Sequence, residues 1–454
     1  MKLQFLGATD TVTGSRYLIQ HDKSRVLVDC GLFQGYKLLR LRNWTPPPVK
    51  PSSIDAVILT HAHIDHSGYL PLLARQGFRG KVFCTPATYD LCRILLPDSG
   101  HLQEEEAEYA NRHKLSKHKE ALPLYTREDA LQCLKLFHPV PHGKDWQPAP
   151  GLHARMAPSG HMIGSSFVRL DDGSRSILFS GDIGRPNDLV LKPPVQMDGA
   201  DYLVVESTYG DRPHGNSDPL LELGKVINRT AARGGVVVIP AFAVGRAQSL
   251  LHCIQLLKAQ GVIHDVPVYL NSPMAANAMK VYLKHKTELR LTAAERDALA
   301  NAAHIVQSPE ESRLLNGRHG PMIIVSASGM ATGGRVLHHL KAFAPDKRNT
   351  VLFAGFQAGG TRGASISQGA TTVRIFGEDV PIRAEVAMLD DLSAHADADA
   401  AEIVGWLKGF KAPPKQTFIT HGEPAAADAM RQHIERELHW KVHMPFYLET
   451  VTLR

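Results

Sequence analysis

Short apolar runs that stop abruptly on polar residues recur along the chain, and they limit what it can fold into more than any other feature. Four come early: SRVLVDCG at 24–31, IDAVILT at 54–60, SILFSGD at 176–182 and DYLVVEST at 201–208. Each is rich in Val, Ile and Leu and alternates only weakly, the pattern of a strand buried on at least one face and often on both. From about residue 209 such runs alternate with helical spacing. GGVVVIP precedes VGRAQSLLHCIQLLK, VPVYLNS precedes PMAANAMKVYLKH, PMIIVSASG precedes GGRVLHHLKAF, and NTVLFAGF follows. That alternation predicts βαβ units and a parallel sheet. A last section contains DDLSAHADADAAEIVGWLKGF and TFITHGEPAAADAMRQHIEREL and returns to polar clusters, a strand and helices. No polar linker, low-complexity tract or repeat separates the parts. The expected organisation is a first domain over 1–208, an insertion over 209–389 and a return to the first domain over 390–454.

Composition narrows the function classes. With 454 residues, 43% of them hydrophobic and 21% charged, the chain has a sizeable core, which excludes disorder, a collagen-like repeat and a single coiled coil. No stretch of about 18 apolar residues is present, so no membrane span is expected. The start, MKLQFLGATDTVTG, lacks a signal peptide's apolar run and reads as a first strand, which makes the cytoplasm the expected location. Five cysteines without a CxxC pair argue against a disulfide framework and a thiolate zinc site. The segment 98–128 mixes charges of both signs and reads as a solvated helix with a loop. A formal charge of +6 permits a polyanionic partner. Histidine is abundant, 24 in all; clustered with carboxylates it points to a metalloenzyme, scattered it means little.

The histidines do cluster. His61-Ala62-His63-Ile64-Asp65-His66 follows the run IDAVILT and precedes SGYLPLLARQG, which has helical spacing. Three imidazoles and a carboxylate at a strand end are ligands of the kind that zinc takes, with His61 and His63 able to grip one ion while Asp65 and His66 point to another. Two further strand ends add His161, in PSGHMIGSS, where Gly160 and Gly164 allow close backbone approach, and Asp182, in LFSGDIGR. Alone, each reads as a loop hydrogen-bonder or helix cap; beside the first motif both become candidate ligands. His421, in TFITHGEP, repeats the arrangement of strand, histidine and glycine. Asp29, in VLVDCG, is a strand-end carboxylate placed to orient a ligand rather than bind metal.

Together HAHIDH, His161, Asp182 and the late His421 resemble the metallo-β-lactamase superfamily. Glu206 in VVESTYGDR, His395 in LSAHAD and His421 in THGE match the three motifs of the β-CASP nucleases, in the form seen in the cleavage and polyadenylation specificity factor endonuclease and its bacterial and archaeal relatives. The resemblance covers nearly the whole chain. It implies an α/β fold: an αββα sandwich carrying an inserted parallel-sheet β-CASP domain. It also implies that His61, His63 and His161 hold one Zn²⁺, that Asp65, His66 and His421 hold a second, and that Asp182 bridges them. Two ions about 3.5–4 Å apart can share a hydroxide whose pKa is pulled toward 7 and clamp a phosphate for in-line displacement. The N and O ligands suit Mn²⁺ or Fe²⁺ as well.

The same resemblance makes His395 the contact to the scissile phosphate and general acid, with Glu206 holding its ring; Asp65 and Asp182 join them in the catalytic set. Histidine at the third motif marks the RNA-processing branch, so the expected substrate is single-stranded RNA. It would be cut endonucleolytically, with 5′ trimming as a second mode, to leave 5′-phosphate and 3′-hydroxyl ends. A cleft between two domains would admit one backbone more easily than a duplex. Phosphates away from the ions need donors. The loop from Ser326 to Arg335 follows a strand and opens a helix, so Ser328, Gly329, Gly333, Gly334 and Arg335 are candidate phosphate binders. Arg362 in GFQAGGTRG and Arg246 in PAFAVGRAQ are read likewise. Two alternatives stand beside this reading: a metallohydrolase of a small phosphoester or thioester, and a catalytically inactive RNA-binding subunit. A homodimer is compatible with the sequence, and the other 18 histidines are assigned ordinary surface and packing roles.

Overall fold

The computed structural model describes residues 1–212, 218–355, 357, 360–389 and 398–454. Met1–Pro186, Pro193–Pro213 and Asp397–Arg454 form one compact unit, and Asn187–Lys192 with His214–Ala396 form another.

The first unit contains two seven-stranded sheets. One runs, neighbour to neighbour, through Thr450–Thr452, Lys2–Phe5, Tyr17–His21, Ser24–Val28, Ala56–Ile58, Lys81–Cys84 and Phe137–Pro139. The other runs through Val442–His443, Gln416–Ile419, Tyr202–Val205, Ser176–Phe179, Ser166–Asp171, Leu152–Pro158 and Asp145–Ala149. Between them lies a shared core in which Phe5, Tyr17, Val26, Val28 and Ile58 of the first sheet meet Met156, Val168, Phe179, Val204 and Phe418 of the second. The weak alternation of the apolar runs has its cause here. Tyr202 and Val204 enter that core, whereas Leu203 and Val205 face the opposite way, with Ile403 and Leu407 of the helix Ala400–Leu407 and Met430 and Ile434 of the helix Pro424–Leu438. A strand covered on both faces has no solvent side to mark with polar residues. The layers are helix, sheet, sheet and helix, the expected αββα sandwich.

Register places the polar strand ends. Ser24–Val28, Ala56–Ile58 and Lys81–Cys84 are parallel neighbours, as are Ser176–Phe179, Tyr202–Val205 and Gln416–Ile419. Parallel strands finish at the same edge, so Asp29, His61, Asp182, Glu206 and His421 emerge at the carboxyl ends of their sheets, where α/β proteins form sites.

The second unit is built on a six-stranded sheet in the order His304–Ile305, Val268–Leu270, Met322–Ser326, Val236–Pro240, Thr350–Phe353 and Glu385–Met388. Every pairing in it is parallel, as the strand–helix alternation predicts. Val238, Ile324, Val351 and Phe353 pack with Leu337, Leu340 and Phe343 of the helix Val336–Phe343. The segment Asn187–Lys192 joins this unit through a bridge between Leu191 and Leu289 and a bond from the Lys192 N–H to the Glu288 carbonyl, 3.0 Å. All five cysteines are buried and unbridged. No described helix is long and apolar enough to cross a membrane.

Candidate metal centre

The HAHIDH segment leaves the strand Ala56–Ile58 and turns into the short helix Ile64–Ser67, with His63 as its first flanking residue. The turn is pressed against the exit of the neighbouring strand: the Cys30 N–H reaches the His66 carbonyl, 2.7 Å, and the Ser15 N–H the Asp65 carbonyl, 2.9 Å. A Cβ on Gly31 would stand 1.6 Å from the Asp65 carbonyl oxygen, so only glycine allows this approach. Gly164 has the same function beneath His161, with a φ of +82° and a would-be Cβ 2.5 Å from the Thr88 nitrogen.

Two groups of ligand atoms converge. In the first, His63 Nδ1 lies 3.2 Å from His61 Nε2 and 3.0 Å from His161 Nε2. Asp182 Oδ2 stands 3.6 Å from His61 Nε2 and 3.7 Å from His161 Nε2. In the second, His66 Nε2 and His421 Nε2 are 2.9 Å apart, and Asp65 Oδ2 is 3.3 Å from His421 Nε2 and 3.9 Å from His66 Nε2. The other oxygen of Asp182, Oδ1, faces this group at 3.3 Å from His66 Nε2. All these residues are buried or half-buried.

The arrangement fits divalent metal. Ligand nitrogens about 2.0–2.1 Å from a tetrahedral ion stand about 3.3–3.4 Å from one another, close to the spacings seen. Asp182 Oδ1 is buried with no well-aligned hydrogen bond, its nearest nitrogens being His66 Nε2 at 3.3 Å and His421 Nδ1 at 3.6 Å, and a cation would meet it there. The electrostatics divide the ligands into rings that are already neutral and rings whose proton an ion would displace. Burial, helped by the neighbouring imidazoles, pushes His61 well below its usual pKa and His63 to about 4. Both are therefore neutral at pH 7 and carry a lone pair. For His66 burial is again the largest influence and pulls downward, but Asp182 and Asp29 outweigh it and hold the ring well above the usual value. Burial opposes ionisation of Asp182 too, yet His421, His66 and His61 hold its carboxyl well below the usual range.

Behind the ligands is a layer of fixed partners. Asp29 Oδ2 meets His66 Nδ1 at 2.8 Å and accepts the Thr60 hydroxyl, also at 2.8 Å, while its Oδ1 takes the Thr60 N–H. The Thr60 hydroxyl oxygen lies 3.1 Å from His61 Nδ1. Glu206 accepts the Ile183 N–H on Oε1 and the Thr208 hydroxyl on Oε2. Sequence reasoning singles out Asp29 and Glu206 but passes over Thr60 and Thr208. The available signal is position: one directly precedes His61 and the other follows Glu206 by two residues at a strand end. His395, the candidate general acid, lies outside the described residues.

The candidate phosphate binders belong to the second unit. Ser328, Gly329, Gly333 and Gly334 occupy the loop between the strand Met322–Ser326 and the helix Val336–Phe343, with Ser328 Oγ 3.0 Å from Thr332 Oγ1. Arg335 donates to Asn271 Oδ1 and to the carbonyls of Val306 and Gln307. Arg362 donates to the carbonyls of Arg374 and Thr332. Both guanidiniums thus tie together loops of their own unit. Arg246 opens the helix Arg246–Ala259; its charge acts on Asp188, whose carboxyl burial raises to about 6.

Comparison with known proteins agrees with this anatomy. Residues 24–238 match the Beta-lactamase superfamily domain, 247–366 the Beta-Casp domain, and 379–445 the Zn-dependent metallo-hydrolase RNA specificity domain. Ribonuclease TTHA0252 of Thermus thermophilus is 36% identical over 430 residues, 93% of either chain. Transcription termination factor FttA of Methanocaldococcus jannaschii is 29% identical over 471 residues, spanning 100% of this chain and 72% of its own length. A crystal structure of a protein of unknown function from Enterococcus faecalis V583 shares the fold, with a TM-score of 0.57 at 12% identity, over 100% of this chain and 99% of that one. With its sandwich, inserted parallel-sheet unit and histidine–aspartate cluster, the chain belongs to the β-CASP ribonuclease family of the metallo-β-lactamase superfamily and is a metal-dependent hydrolase.

Proposed function

We propose that the chain hydrolyses phosphodiester bonds of single-stranded RNA with two metal ions, chiefly as an endonuclease, and leaves 5′-phosphate and 3′-hydroxyl ends. The observation that carries the reading is Asp182, whose Oδ2 faces His61 and His161 while its Oδ1 faces His66. His61, His63 and His161 would hold one ion and Asp65, His66 and His421 the other, with Asp182 common to both. Divalent ions there supply Lewis-acid polarisation of the phosphoryl group and activation of water at neutral pH. Zinc suits the imidazole-rich donor set, and Mn²⁺ or Fe²⁺ satisfy it too.

The remaining chemistry falls to the chain. To His395 we assign protonation of the departing 3′-oxygen, on its match to the family's second motif, with Glu206 orienting its ring. Ser328, Gly329, Gly333, Gly334, Arg335, Arg362 and Arg246 are assigned to the substrate's other phosphates. RNA as the substrate is supported by the match of residues 379–445 to an RNA specificity domain and by the similarity to a ribonuclease.

The test is cleavage of end-labelled single-stranded RNA by the purified full chain, with and without chelator and with Zn²⁺ or Mn²⁺ restored. Metal-dependent cuts at internal positions are expected, lost in His63→Ala and His395→Ala. Tight RNA binding without cleavage at any metal tested would overturn the proposal in favour of an inactive RNA-binding subunit. Turnover of small phosphoesters or thioesters alone would overturn it in favour of a small-molecule hydrolase.

A further inference from the structure

His421 is held in an unusual way. It is a non-glycine residue with φ +54°, a left-handed conformation that costs roughly 1–2 kcal/mol and persists only where neighbours enforce it. Its N–H is fixed on the Ala8 carbonyl at 2.7 Å, and its own carbonyl accepts the Ser207 N–H at 3.3 Å. The ring is fixed separately. Thr208 Oγ1 lies 2.6 Å from Glu206 Oε2 and 3.1 Å from His421 Nδ1.

Counting protons decides what this chain of three groups can do. A carboxylate only accepts, so the proton in the 2.6 Å contact belongs to the Thr208 hydroxyl, which has no other to give. The hydroxyl must then meet His421 Nδ1 as an acceptor, so Nδ1 carries a hydrogen and Nε2 carries the lone pair. Nε2 is the atom that faces His66 Nε2 at 2.9 Å and Asp65 Oδ2 at 3.3 Å. The carboxylates pull both ways, Asp182 Oδ1 standing 3.6 Å from His421 Nδ1 and Asp65 Oδ2 3.3 Å from Nε2, so it is the Thr208 hydroxyl that selects Nδ1–H. The molecule repeats the device on its other sheet, where Asp29 Oδ2 takes the Thr60 hydroxyl proton and the Thr60 oxygen faces His61 Nδ1 at 3.1 Å. There, too, the inward atom is Nε2.

We infer that Thr208 is a positioning residue for the metal centre: its hydroxyl, held by Glu206, fixes His421 as the Nδ1–H tautomer and aims Nε2 into the second ligand group. Glu206 thereby acts on the centre through Thr208, in addition to the orienting of His395 assigned to it above. The inference rests on the metal reading of the site for its consequence and on the hydrogen-bond geometry alone for the tautomer. Thr60 would do the same for His61.

Two variants of the full chain separate the hydroxyl from the shape of the side chain: Thr208→Val removes the first and keeps the second, and Thr208→Ser does the reverse. The first readout is Zn²⁺ affinity, by competition with a chromophoric chelator. Partners of metal-bound histidines are worth about 10–100-fold in affinity. Thr208→Val should therefore lose the more weakly held Zn²⁺ equivalent by about that factor, with an unchanged melting temperature of the metal-free protein, and Thr208→Ser should stay within about threefold of wild type. Thr208→Val binding Zn²⁺ as tightly as wild type, or Thr208→Ser failing equally, would overturn the inference. The second readout needs no metal: ring-nitrogen NMR of histidine-labelled protein at about pH 8.5, where free histidine is neutral. Wild type should show His421 as the Nδ1–H tautomer and Thr208→Val a shift toward Nε2–H. An Nε2–H tautomer in wild type overturns the inference even where Zn²⁺ binds. A wild-type chain that takes up no Zn²⁺ overturns the metal reading instead, and the NMR result still decides on Thr208.

Discussion

Each unit buries histidines in its interior, and the two do so in chemically opposite ways. In the second unit His339 is 0% exposed and sits between two amides: Asn271 Nδ2 donates to its Nε2 at 2.6 Å, and its Nδ1 donates to Asn316 Oδ1 at 2.6 Å. Donors and acceptors alternate without a gap, since the same amide nitrogen reaches Ser312 Oγ and the amide oxygen accepts from Arg335. In the first unit the ring nitrogens of His61, His63 and His161, and those of His66 and His421, face one another at 2.9–3.2 Å. His61 and His63, lowered by burial, aim lone pairs at a common point, while His66 and His421, raised against burial by the carboxylates beside them, would give up a proton to an ion there. Burial alone does not separate a structural histidine from a metal ligand; the atom opposite each nitrogen does.

That contrast can be broken most decisively at Asp182. Asp182→Ala should reduce Zn²⁺ from two equivalents to at most one and cleavage of RNA by at least about 10³-fold, measured by elemental analysis and single-turnover kinetics. Retention of both equivalents would break the reading of Asp182 as the shared ligand. The next effect belongs to His339. Burial drives its pKa down to about 4, below the roughly 6.5 of an unfolded chain. As pH falls below 6.5 the unfolded state takes a proton that the folded state refuses until about pH 4, so stability is lost across that window. Its size is about 3 kcal/mol at 1.4 kcal/mol per pKa unit. The stability gap between wild type and His339→Gln should narrow by that amount from pH 7 to pH 4 in urea titrations, with Zn²⁺ content unchanged. Smaller again is Asp29→Asn, which weakens the grip on His66 and should cost about 10–100-fold in Zn²⁺ affinity by chelator competition. Smallest is His304→Ala, whose ring meets Glu311 at the surface; a change within about 0.5 kcal/mol in urea unfolding, and none in metal content, is expected.

The features legible in the sequence were those whose cause is local. Val204 and Leu203 enter different cores, so the strand reads as unbroken apolar sequence, and the polar residue that follows it, Glu206, marks where burial ends. His61 and His63 are two apart at such an end, so their proximity needs no knowledge of the fold. The meeting of His421 with His66 is different: it depends on how the two sheets face each other across their shared core, as well as on the register of Gln416–Ile419 beside Tyr202–Val205, and only the family resemblance points to it. Thr60 and Thr208 were illegible because a hydroxyl at a strand end also suits turns and caps. His338 and His339 are adjacent in sequence, one exposed and one buried. Which of them faces inward depends on how their helix meets the sheet.

The pairing of Tyr202–Val205 with Gln416–Ile419 also fixes an order in time. The two strands are roughly two hundred residues apart in the chain, and all of the second unit except Asn187–Lys192 is translated between them. At about 5–20 residues per second, Asp65 and His66 exist on a nascent chain for tens of seconds before His421 is made. Once made, the strand Tyr202–Val205 keeps an unpaired edge until Gln416–Ile419 follows, and throughout the interval the second ligand group has no third member. That group cannot be completed on the ribosome, beside messenger RNA, until His421 has followed His66 by more than three hundred residues.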